Sequence, residues 1–188
     1  MSQLPILIIV LPLLMVPLCL FVKEKNYVYS LTLIISLINL ILVCILFYEV
    51  NISETIFYEL GGWEAPVGIR LKADLLSCYF LLLINFMSFI CILSGREIIK
   101  KQIHPQNIYL FYIAWLLCNI GFSGIVLTDD IFNLFVFLEI SSLSSYFLIS
   151  QGMYKGSKIA ALQYLFIGSI GGVFILLGIA VIYAHLGT

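Results

Sequence analysis

Glu139 is the residue in this sequence whose type and position most plainly imply chemistry. Among nine basic and ten acidic residues, it alone falls inside a long apolar stretch. It is the ninth residue of the run Ile131–Ser150. As a helix, that run would place Glu139 roughly 2 Å from its midpoint. A carboxyl at mid-bilayer is disfavoured by at least a few kcal/mol, so it must face other helices or internal water. Desolvation raises the pKa of such a group and a nearby cation lowers it, which makes it able to exchange protons near neutral pH. Ser142, Ser145 and Tyr146 follow at three, six and seven residues and read as one polar helical stripe with Glu139. Their hydroxyls can hold water or relay a proton. Gln163, in the next apolar stretch, extends the candidate path. Two roles fit Glu139: a proton or ion site with Ser142, Ser145 and Gln163, or a neutral strut that hydrogen-bonds helices together.

Other chemistries lack their residues. Cys19, Cys44, Cys78, Cys91 and Cys118 all lie in apolar stretches, and no two form a CxxC pair. They read as packing residues rather than a disulfide frame or metal site. His104 and His185 sit in a loop and at a helix end, not where a membrane haem would need them. There is no glycine-rich phosphate loop and no nucleophile motif. The sequence therefore predicts no cofactor, no metal and no catalysis by this chain alone.

The elements that must position Glu139 follow from composition. Hydrophobic residues make up 63% of the 188 and charged residues 10%, against roughly a quarter charged in globular proteins. A soluble fold has too little polar cover for that much apolar surface. Six stretches are long enough to cross a bilayer: residues 4–22, 27–48, 75–94, 107–127, 131–150 and 159–184. Continuous apolar runs mean helices and not barrel strands. The expected fold is an all-α integral membrane protein forming a single transmembrane domain over residues 1–188. The first stretch has no basic region before it and Lys23 after it, unlike a signal peptide. Pro5, Pro12 and Pro17 predict a bent first helix.

Lysine and arginine predict the orientation. Lys23 and Lys25, then Arg96, Lys100 and Lys101, then Lys155 and Lys158 occupy the loops after spans one, three and five. Only Arg70 and Lys72 lie on the other side. The basic loops belong in the cytoplasm, with both termini outside. The near-neutral net charge of −1 gives no reason to expect nucleic acid. The loop 49–74 is acidic, through Glu49, Glu54, Glu59, Glu64 and Asp74. Within it, residues 56–60, the pair Gly61-Gly62 and residues 67–71 predict a short hairpin, with Trp63 as an interfacial anchor. In the sixth span Gly168 and Gly172 form a GxxxG, read as close helix packing. Asn85 and Asn119 are buried amides expected to bridge helices.

Three segments together resemble a known family. The run Thr128-Asp129-Asp130-Ile131-Phe132-Asn133-Leu134-Phe135-Val136-Phe137-Leu138-Glu139 resembles the fifth helix of the antiporter-like family. That family includes the D-type subunit of Mrp cation/proton antiporters and the proton-pumping membrane subunits of respiratory complex I. The stretch from Ala160 to Gly171 is similar to its sixth helix, and Tyr58-Glu59-Leu60-Gly61-Gly62-Trp63 to the loop before its third. The closest likeness is to the Mrp D-type branch. The resemblance implies that Glu139 belongs to the ion path, paired with a lysine on the family's seventh helix. It also implies a longer fold containing two inverted five-helix repeats, helices four to eight and nine to thirteen. Many relatives carry a lysine where Gln163 stands, although the D-type branch tolerates glutamine. The sequence ends after its sixth span, at Thr188, before that lysine and the second repeat. A split gene, a shortened relic, or a piece completed by another chain each fits.

The reading that follows is a six-helix membrane subunit of a proton or Na⁺/H⁺ translocating complex, corresponding to the N-terminal part of such a subunit. Its expected partners are other membrane subunits of a multisubunit antiporter or complex I-like assembly, in a bacterial inner membrane. The alternative is a non-conducting structural or assembly subunit, or a truncated remnant.

Overall fold

The structure is a computed structural model, and it describes residues 3–22, 24–63 and 68–186. Lys23 of the first basic loop, Glu64 of the acidic loop, Val67 at the start of the expected second strand and Thr188 lie outside the described residues. Among the described residues, six helices are long and apolar enough to span a membrane: α1 (Leu4–Val22), α2 (Lys25–Ser53), α3 (Leu75–Gln102), α4 (Ile108–Leu127), α5 (Ile131–Ser150) and α6 (Ser157–Leu186). Helices α2, α3 and α6 outrun the expected spans. In particular Arg96, Lys100 and Lys101 sit on the last turns of α3 rather than in a loop, where they face the negative end of the helix dipole.

Helix α1 runs through Pro12 and Pro17. Proline at position 12 has no N–H to offer the carbonyl of Ile8, four residues back. In a bilayer that carbonyl needs another donor. Asn39 of α2 supplies it, with Nδ2 donating to Ile8 O at 3.0 Å. The sequence pointed instead to Asn85 and Asn119 as bridging amides. Both bond within their own helices: Asn85 donates to Leu81 O, and Asn119 Oδ1 accepts from Ser123. An amide side chain has a carbonyl or hydroxyl one turn away on its own helix, and that local bond wins here. Between α3 and α4 the crossing bond is Trp115 Nε1 to Ser88 Oγ, 3.0 Å.

The loop between α2 and α3 forms the expected hairpin with a shifted second strand. Antiparallel strands β1 (Ile56–Glu59) and β2 (Arg70–Ala73) pair Ile56 with Ala73 and Glu59 with Arg70. The second strand lies later than residues 67–71. Alternation explains the shift: Leu71 and Ala73 point into the core beneath the hairpin while Arg70 and Lys72 point away. Gly61 and Gly62 hold positive φ in the turn of 3₁₀ helix after β1, a conformation that favours glycine. The hairpin closes one end of the bundle. Asp129 N donates to Arg70 O at 3.1 Å, and Arg70 forms an ion pair with Asp129.

At the other end, Met153 N donates to Gln102 O at 2.9 Å, and Ile103 bridges Gly152. The α3–α4 and α5–α6 turns, and with them Lys100, Lys101, Lys155 and Lys158, therefore share one end. Helix α4 is the centre of the bundle, packed on α1, α3 and α5. It is the most buried of the six helices and α6 the least, the latter packing chiefly on α5.

Candidate functional site

Helix α5 begins where its sequence says it should. Asp130 is the N-cap, its carboxylate accepting from Phe132 N at 3.2 Å and Asn133 N at 3.0 Å. Thr128 Oγ1 accepts from Asp130 N and from Asn133 Nδ2. This cap fixes where α5 begins, and Glu139 follows nine residues on.

Glu139 is half-buried and faces α6. Its Oε1 lies against Gly172, so closely that a Cβ at that position would overlap it. Tyr146, two turns along, is buried on the same seam, and its hydroxyl lies against Gly168 in the same way. The Tyr146 ring meets Tyr164 edge-on at 4.7 Å. Near the hairpin end, the Tyr183 hydroxyl donates to Asp130 Oδ1 at 3.1 Å. Tyr164, Gly168, Gly172 and Tyr183 thus form one stripe of α6 turned toward α5. The GxxxG is a packing motif, as its spacing suggests, and what it receives is a carboxyl and a phenol. Among the described residues Glu139 has no hydrogen bond and no ion pair.

The other predicted path residues separate. Ser145 turns toward α4: its hydroxyl donates to Ser141 O at 2.8 Å and lies 3.4 Å from Cys118 Sγ. Ser141 and Ser144 likewise donate to carbonyls of their own helix. Ser142, half-buried and one turn from Glu139, makes no hydrogen bond among the described residues. Gln163 is exposed on α6, off the stripe that faces α5. The geometry therefore brings Glu139 together with Tyr146 and the two glycines, and does not bring Ser145 or Gln163 to it. Tyr183 and Asp130 were missed by the sequence reading, and no local pattern marks their pairing across 53 residues.

Six spanning helices, with the Glu139 carboxyl in the seam between the fifth and the sixth, define a multi-pass membrane protein. Residues 128–188 match the family described as NADH:quinone oxidoreductase/Mrp antiporter, transmembrane. The D-type subunit of the Na(+)/H(+) antiporter of Alkalihalophilus pseudofirmus is 35% identical over 130 residues, 69% of this chain and 26% of its own length. The N-type subunit of the NADH-quinone oxidoreductase of Desulforudis audaxviator is 32% identical over 193 residues, covering 100% of this chain and 38% of its own length. Among solved structures, a chain of the membrane-bound sulfane sulfur reductase, an archaeal respiratory membrane complex, matches with a TM-score of 0.92 and 32% identity over 100% of this chain and 38% of that one. The chain belongs to the antiporter-like family and corresponds to the N-terminal part of its members. It spans well under half the length of these relatives.

Proposed function

We propose that this chain supplies the N-terminal part of a proton or Na⁺/H⁺ translocating membrane subunit, and that Glu139 is its protonatable site. The observation that carries this reading is the placement of the Glu139 carboxyl. It sits mid-helix in the α5–α6 seam, seated on Gly172 and with no ion pair among the described residues. A carboxyl so placed is free to change protonation as a partner group approaches or leaves, without breaking a structural bond. Ser142 and Tyr146 provide hydroxyls along the same helix. Gln163, exposed on α6, can line a hydrated path only where another helix covers that face. The cation that pairs with Glu139 then comes from outside these six helices, from further parts of the antiporter fold or from other membrane subunits. The basic end of the bundle faces the cytoplasm in this reading, and the membrane is a bacterial inner membrane.

The test is proton flux in vesicles containing the assembled complex, with subunit content measured alongside. Glu139→Gln keeps size and hydrogen bonding and removes titration. It should abolish flux with assembly intact, and Glu139→Ala should abolish flux as well. Full flux with Glu139→Gln, and loss only with Glu139→Ala, would make the residue a strut and the chain a structural subunit.

A further inference from the structure

We propose that the basic end of the bundle holds an anionic phospholipid, its phosphate seated in a recess between α2, α3 and α4. Lys25, Asn26 and Tyr29 of α2, Arg96 and Lys100 of α3, and Tyr112 of α4 line this recess. Three of these six carry positive charge and none is acidic. The Arg96 guanidinium stacks over the Tyr29 ring at 4.6 Å, which fixes its plane and leaves its donors free. Its Nε is buried without an acceptor. Neither Arg96 nor Lys25 has a hydrogen-bonded or ion-paired partner among the described residues.

Two carboxylates lie nearby and outside the lining. Glu97 bonds to Lys100 at 2.8 Å, and Glu24 stands at the N-cap of α2, where its side chain caps nothing. A second observation points to a ligand. Tyr112 is only 2% exposed, and its hydroxyl makes no hydrogen bond among the described residues. The ring is packed away while the hydroxyl opens on the recess that it lines, where it can take a partner. A phosphate oxygen at the recess supplies an acceptor for Tyr112 and for Arg96 together, and arginine's fork suits that geometry.

The recess is shallow, with room inside for about one water-sized group, so one phosphate oxygen enters it while the rest of the headgroup lies outside at its mouth. It lies at the ends of three spanning helices, at the depth of the interface. The same end exposes Phe21, Tyr27 and Ile98, apolar surface on which acyl chains can lie. These features favour a lipid over a free phosphate, and cations at this depth select anionic headgroups.

Native mass spectrometry of the full chain in detergent tests the site, with phosphatidylglycerol, phosphatidylcholine and inorganic phosphate as probes. Wild type should retain phosphatidylglycerol in preference to phosphatidylcholine. Arg96→Gln and Lys25→Gln should each weaken it about fivefold, the effect of one interfacial cation. Tyr112→Phe, which keeps the packed ring, should weaken it in the same direction, and Lys155→Gln, on the same end outside the recess, should not. Monodisperse elution with unchanged helicity identifies folded variants. Equal retention of the two lipids, or wild-type retention by both Arg96→Gln and Tyr112→Phe, overturns the proposal. Displacement of the lipid by millimolar inorganic phosphate overturns the lipid assignment in favour of a free anion.

Discussion

Helix α5 has two neighbours that meet it with the same device and to different ends. On the α4 side, Gly121 admits the backbone of Ser141, and Gly124 admits the ring of Phe137. On the α6 side, Gly168 admits the Tyr146 hydroxyl and Gly172 the Glu139 carboxylate. Glycine in each seam lets another chain segment come closer than a Cβ would permit. Against α4 the guest is backbone and aromatic ring, in the most buried part of the bundle. Against α6 the guest is the far end of a polar side chain, in the least buried part. The first seam fixes where α5 stands. The second leaves a titratable group room to stand.

The largest stability effect belongs to the α4 seam. In Gly121→Ala the new Cβ would fall 2.7 Å from the backbone nitrogen of Ser141. No rotamer relieves that contact, so the helices must separate or tilt. The expected loss is about 1–3 kcal/mol, as for overpacked cores, read as a lower thermal unfolding midpoint in detergent. Gly172→Ala meets only the tip of Glu139, which can rotate away. It should leave the midpoint within about 0.5 kcal/mol of wild type and impair proton flux in the assembled complex, because the carboxyl is displaced. An equal loss of stability in both variants would erase the distinction between the two seams.

A smaller effect separates caps from seams. Asp74 caps α3 by accepting from Ser77 N at 2.8 Å. That backbone bond, ahead of the Ser77 hydroxyl and Lys72, holds its carboxyl below the ordinary range despite some desolvation. A lowered folded-state pKa contributes stability that is present above the unfolded value, about 4, and lost as pH falls through the folded value. The carboxyl is largely solvated, so the contribution is small. Asp74→Ala should cost roughly 1 kcal/mol at pH 7 and remove part of the acid-side loss of stability below pH 4, measured by helicity against pH. Neither seam should respond to this variant.

What the sequence could disclose differs between these regions for physical reasons. The spans were legible because a bilayer demands continuous apolar runs, and α1 and α5 match their expected limits. The mid-helix position of Glu139 was legible because a lone charge in such a run stands out. Its company was not. A stripe drawn through Ser142, Ser145 and Tyr146 is wide: at about 100° per residue, Tyr146 returns to within about 20° of Glu139, while Ser145 lies about 120° away. The structure accordingly turns Tyr146 to α6 and Ser145 to α4. The glycines of α6 were read as packing without their guests, since a GxxxG does not record what fills it. Asn39 was missed although Pro12 signals it: a proline inside a membrane helix frees a carbonyl that some donor must meet. The basic end was legible as charge; the recess needed three helices to assemble it.

The smallest expected effect tests whether the α6 seam is held at its end or along its length. Tyr183 donates to Asp130 Oδ1 at 3.1 Å, tying the last turns of α6 to the N-cap of α5. Tyr183 is partly exposed, so the bond competes with water and contributes at the low end of about 0.5–1.5 kcal/mol. Asp130 also accepts from Phe132 N and Asn133 N, so Tyr183→Phe leaves the α5 cap in place. Global unfolding should shift little. Local opening should change more, because α6 has few packed neighbours to hold it once the tie is gone. Hydrogen exchange should therefore quicken a few-fold at amides near residue 183 and stay unchanged in α4. If exchange instead quickens down to Gly172 and Gly168, the end tie governs the whole seam, and the same variant should then lower proton flux even though it lies 11 residues from Gly172. If exchange does not change at all, the seating of Glu139 and Tyr146 on the two glycines is what holds α6 to α5.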